Sequence, residues 1–87
     1  MSEATEVNDH GLRELVQYIA EALVDDPNNV KVACVESDTS VILELYVSKE
    51  DVGKVIGKGG QTAKALRKIL SAAATKHKKK SLLQIIE

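Results

Sequence analysis

From about Asp9 onward, apolar residues recur at three- and four-residue intervals: Leu12, Leu15, Val16, Ile19 and Leu23. That spacing predicts an amphipathic helix with one buried stripe. Asn8 or Asp9 is placed to cap its start, and the run Asp25-Asp26-Pro27-Asn28-Asn29 ends it. The period then drops to two. Val30, Val32 and Cys34 alternate with Lys31 and Ala33, which predicts a strand, and Glu36-Ser37-Asp38-Thr39-Ser40 supplies a turn. Val41, Leu43, Leu45 and Val47 form one face of a second strand, with Ile42, Glu44 and Tyr46 on the other. The two strands pair most simply as an antiparallel hairpin.

Ser48 followed by Asp51 resembles a capping box opening a short helix that carries Val52, Val55 and Ile56. Gly57 stops that helix. A longer one follows, with Leu66, Ile69, Leu70 and Ala73 as its apolar stripe and Lys64, Arg67 and Lys68 elsewhere on its surface. The basic run Lys76-His77-Lys78-Lys79-Lys80 falls at its C-terminal end, where the helix dipole favours positive charge. Residues 81–87 return as a final strand. The order is α-β-β-α-α-β, an α+β domain over 9–87 preceded by a flexible polar segment, 1–8. A right-handed two-helix crossover should bring the last strand parallel to one already in a three-stranded mixed sheet. So small a chain cannot cover both sheet faces, so the helices are expected on one side. Ile42 and Tyr46 then lie on the open face.

Composition adjusts this picture in two places. A chain of 87 residues makes one domain and buries roughly 60–65% of its unfolded surface. With two tyrosines and no Phe or Trp, its core must be aliphatic, and it has no stacking platform for bases. Cys34 is the single cysteine, so no internal disulfide forms; on the inward strand face it is expected as a buried thiol, not a nucleophile. No secretory or membrane-spanning apolar segment is present, which predicts a soluble, cytoplasmic protein with no membrane partner. His10 and His77 lack metal-ligand spacing, and Asp25 and Asp26 fit turn chemistry better than a carboxylate pair. No catalysis, metal or cofactor is expected. The net charge of −1 conceals a segregation: residues 1–47 sum to −8 and residues 48–87 to +7. The local field of the second half therefore suits a polyanion better than the total implies.

The most chemically specific stretch is Val55-Ile56-Gly57-Lys58-Gly59-Gly60-Gln61-Thr62, a lysine-bearing glycine turn between two helices. A nucleotide-binding phosphate loop fails on spacing, because only three residues separate Gly53 from Gly57 and Gly59 stands where Ser or Thr should hold magnesium. The dinucleotide fingerprint fails at Thr62, which replaces its third glycine. A purely structural turn needs one glycine, and three in four residues cost more conformational entropy than that requires. Single-stranded nucleic acid fits best. Gly57 closes the first helix, Gly60 opens the second and admits a sugar–phosphate chain, and Lys58 lies beside a phosphate. Lys54, Lys64, Arg67 and Lys68 are candidates to extend the field, and Val52, Val55 and Ile56 to form an aliphatic groove for bases. The competing reading is a protein-interaction or structural adaptor domain whose main role is dimerisation.

This stretch, followed by Thr62, Leu66 and Ile69 on the next helix, resembles the K-homology (KH) motif, in which a GXXG loop clamps about four nucleotides. Lys58 and Gly59 fall on its two middle positions. The element order is similar to the type II KH arrangement, and the short length narrows the resemblance to the small bacterial single-domain KH proteins, the KhpA-like family. The resemblance covers about residues 9–87. It implies a cytoplasmic binder of single-stranded RNA, a homodimer, and a heteromer with a larger multidomain KhpB-like protein. It further implies RNA chaperoning or post-transcriptional regulation, tied in some bacteria to cell shape and division. Ala63 and Ala65 depart from the pattern by leaving one groove flank small, which bears on base selectivity.

Overall fold

The computed structural model describes residues 11–87. Helix α1 runs Leu12–Leu23, and a 3-10 turn at Pro27–Asn29 leads into strand β1, Lys31–Glu36. Strand β2 follows at Ser40–Tyr46, then a 3-10 turn at Lys49–Asp51, helix α2 at Val52–Ile56 and a tight turn at Lys58–Gly60. Helix α3, Gln61–Thr75, and strand β3, Lys80–Ile86, complete the domain. The sheet order is β1-β2-β3, with β1 antiparallel and β3 parallel to the central β2. This is the α+β arrangement, with a three-stranded mixed sheet, that the residue pattern predicts.

Alternation along β2 sets the layers. Val41, Leu43 and Leu45 are fully buried beneath the helices, while Ser40, Ile42, Glu44 and Tyr46 turn to the other face. Leu12, Val16 and Ala20 of α1, Val55 of α2, Leu66, Leu70 and Ala74 of α3, and Leu83 of β3 close the same core. Each fully buried Leu or Val contributes about 1.5–3 kcal/mol relative to exposure, so this aliphatic cluster carries the fold without aromatic side chains.

Several local expectations change. Helix α1 begins after Gly11, whose left-handed φ of 81° offers no side-chain cap; Asn8, Asp9, His10 and the polar segment 1–8 lie outside the described residues. Cys34 is half-buried, not buried, because β1 is an edge strand whose inward residues meet only the margin of the core. Ile69 does not belong to the stripe of α3: it is 50% exposed, and the buried line is Ala63, Leu66, Leu70 and Ala74.

Ser48 and Asp51 form no capping box. Neither the 3-10 turn nor α2 has a side-chain cap hydrogen bond. The Asp51 carboxylate, 2% exposed, instead accepts hydrogen bonds from the backbone N–H groups of Asp25 (3.2 Å) and Asp26 (3.1 Å). Ser48 Oγ donates to Asp26 Oδ2 at 3.3 Å and accepts from Asn29 Nδ2 at 3.3 Å. The spacing looks local, yet both side chains tie the loop after α1 to the start of α2. A second long-range tie joins the hairpin turn to the entry of β3: Lys79 Nζ pairs with Glu36 Oε2 and donates to Ser37 O at 3.0 Å.

Candidate nucleic-acid interface

The turn between α2 and α3 follows from glycine's conformational range. Gly57 ends α2 at φ 81°, ψ 170°, its N–H donating to Gly53 O at 2.9 Å. Gly59 (φ 63°, ψ 18°) and Gly60 (φ 77°, ψ 11°) are both left-handed, and Gly60 N–H donates to Gly57 O at 3.0 Å. The glycines have different jobs. A side chain on Gly57 would collide with Thr62, whereas nothing lies within 4 Å of a β-carbon built on Gly59 or Gly60. Gly57 lets two parts of the protein meet; Gly59 and Gly60 keep the outer surface of the turn bare.

Lys58 is exposed at this turn, and among the described residues it forms no ion pair. The first turn of α3 begins there with no side-chain cap on its N–H groups. A cation, bare backbone and the positive end of a 15-residue helix therefore coincide. Such a constellation carries the local positive charge that favours an anionic oxygen.

The remaining candidate residues separate into groups. Val55 has no exposed surface and packs in the core, so it offers nothing to a ligand, while its neighbour Ile56 is 36% exposed and Val52 is half-buried. Lys54 is held by acids, 3.2 Å from Asp25 Oδ2 and 3.8 Å from Asp51 Oδ1, so its charge is largely compensated. Arg67 reaches across to β3, where Nη2 donates to Leu83 O at 3.2 Å. Lys64 and Lys68 stand one turn apart with Gln61 and Ala65 around an open hollow of about 270 Å³. Ile56, Lys58, Gly59, Lys64 and Lys68 are thus exposed and Gly57 and Gly60 half-buried, whereas Val55 lies in the core and Lys54 and Arg67 are held by partners. Thr62 had no evident place in the sequence beyond following the glycines, and its packing over Gly57 depends on a turn geometry that spacing alone does not carry.

Among the described residues, no group of three or more His, Cys, Asp or Glu side chains is arranged to hold a metal, and no helix is long and apolar enough to cross a membrane.

The family model for the KhpA/KhpB KH domain matches residues 13–85. An RNA-binding protein KhpA of Clostridium perfringens is 53% identical over 75 residues, 86% of this chain and all of the relative. Proteins of the same name from Caldanaerobacter subterraneus subsp. tengcongensis and Halalkalibacterium halodurans are 51% and 50% identical, covering 84% and 87% of this chain and 97% and 100% of their own length. No solved structure matches significantly.

Proposed function

The chain belongs to the KhpA/KhpB KH-domain family, and on that premise we propose that it binds single-stranded RNA without catalysis, through the Gly57–Gly60 turn. The observation that carries this reading is the bare, left-handed backbone at Gly59 and Gly60 beside the exposed Lys58. A phosphate seated there meets the Lys58 ammonium and the N-terminal end of α3. Adjacent bases meet Ile56 and Val52 by van der Waals contact, since this chain has no aromatic platform at the turn. Its relatives are named for RNA binding, which favours RNA over another polyanion.

The test is Lys58→Asp combined with Gly59→Asp. Both positions point into solvent, and aspartate is among the side chains that tolerate the left-handed conformation best, so the domain stays folded. Fluorescence anisotropy with a short single-stranded RNA at low salt should show binding lost while the thermal transition is kept. Binding equal to that of the parent would sink the reading.

A second role has its own support. Val35, Ile42 and Leu82 are in register across all three strands on the open sheet face, and Val35 and Leu82 are among the most exposed large apolar residues described. We infer that this face takes a second copy or a larger KhpB-like protein, and that pairing two clamps on one strand supports a chaperone or regulatory role in the cytoplasm. A monomeric mass across micromolar concentrations would count against the homodimer.

A further inference from the structure

We propose that the outer face of α3 is a second, contiguous RNA-backbone track, so that the bound strand extends well beyond the four nucleotides of the turn. This rests on the clamp reading and adds a surface to it. Between Val52 and Ile86 the chain has nine Lys or Arg residues and no Asp or Glu. A merely solvated helix face mixes both signs, as α1 does with Arg13, Glu14 and Glu21. On α3, Lys64, Lys68 and Lys76 fall within one sector of about 120°, opposite the buried line Ala63, Leu66, Leu70 and Ala74. Lys76 continues the helix in right-handed conformation and is exposed like the other two. None of the three forms an ion pair among the described residues.

The surface between them is shaped for a chain. Ala65 and Ala72 are exposed on the same side, so small residues separate the lysines, and the hollow at Gln61, Lys64, Ala65 and Lys68 lies just beyond the glycine turn. From Gln61 to Lys76 the helix rises about 22 Å. At roughly 3.4 Å per stacked nucleotide, that spans about six residues of RNA. Charge complementarity commits the track to phosphodiester: Lys64, Lys68 and Lys76 face it and no carboxylate does, with the exposed Ile69 only at its margin.

The experiment compares a tetranucleotide with a dodecanucleotide of single-stranded RNA, for the parent, for Lys76→Gln, and for Lys58→Asp/Gly59→Asp. The parent should bind the dodecamer more tightly than its extra binding registers explain. The Gln variant should bind the tetramer as the parent does, bind the dodecamer several-fold more weakly, and show a salt slope for the dodecamer shallower by about 0.7, the value of one lost phosphate contact on a single strand. A dodecamer affinity and salt slope equal to the parent's in the Gln variant would overturn the track while leaving the clamp intact. Tetramer binding that survives in the Asp pair would overturn the clamp reading itself, and the track with it.

Discussion

A β-carbon on Gly57 would lie 2.7 Å from Thr62 Cβ and 2.9 Å from the Thr62 backbone nitrogen. Gly57 also holds φ 81° with ψ 170°, a region open essentially to glycine alone. Gly57→Ala should therefore cost about 3 kcal/mol or more, combining backbone strain with overpacking. Gly59→Ala meets no neighbour and should cost only about 1–2 kcal/mol for its left-handed φ. Urea denaturation of the two variants checks this, and equal losses would show that the Thr62 contact is unimportant.

Asp51 is expected to matter as much as a core leucine. Asp51→Ala strands the N–H groups of Asp25 and Asp26 and leaves Lys54 one acid fewer. Hydrogen bonds to a charged group contribute about 1.5–3 kcal/mol each, so a loss of about 3 kcal/mol is expected. Asp51→Asn keeps one accepting oxygen and should lose less. Chemical denaturation of both variants distinguishes them; an Asp51→Ala cost below that of Asp51→Asn would contradict the two-bond geometry.

The end of α3 holds a stabilising opportunity. Lys78 adopts φ 61°, with its N–H donating to Thr75 O at 2.9 Å and the Lys79 N–H to Ala74 O at 3.0 Å. This is the six-to-one and five-to-two bonding that usually closes on glycine. Lys78→Gly should raise stability by roughly 0.5–1 kcal/mol, the left-handed relief being partly offset by glycine's entropy in the unfolded chain. A lower melting temperature in the variant would count against it.

Tyr46 offers a pH probe of the open sheet face. Its hydroxyl donates to Glu44 Oε1 at 3.2 Å; that bond first, then the nearby negative charge and slight desolvation, raise the phenol above its usual value. The folded pKa exceeds the unfolded one, so the contact's contribution is fully present below about pH 10 and is lost as pH rises through the raised value. In a Tyr18→Phe background, phenolate absorbance should titrate above pH 10, and adding Glu44→Ala should bring the midpoint back toward 10. An unchanged midpoint would show that Glu44 is not the cause.

What the sequence made legible was whatever depends on short-range periodicity. The alternation Val41, Leu43, Leu45 named the inward face of β2, and the glycines named the turn. Residues decided by three-dimensional partners were harder to read. Ser48 and Asp51 have local cap spacing, but the loop at residues 25–29 takes both: the buried Asp51 carboxylate accepts from the Asp25 and Asp26 N–H groups, and Ser48 bonds the Asp26 and Asn29 side chains. Val55 and Ile56 are adjacent in the same short helix, and only the docking of α2 on the core decides which is hidden. Ile69 has the right interval for the α3 stripe, yet it sits at its margin, where the sheet no longer reaches. Lys54 and Arg67 count as basic residues in any composition, while Asp25 and the Leu83 carbonyl determine where their charges point.

The parallel pairing of β2 with β3 bears on the order in which the domain assembles. β1 and β2 join through a three-residue turn, residues 37–39, whereas β2 and β3 meet only after residues 47–79 have been brought into place. Local pairings close first and distant ones last, so the hairpin is expected to precede the third strand. The glycine turn lies inside that long connection. A chain halted at the hairpin stage would hold no grip on RNA, and RNA added during refolding would select the finished state. Pulsed hydrogen exchange that found β3 protected before β1 would reverse this order.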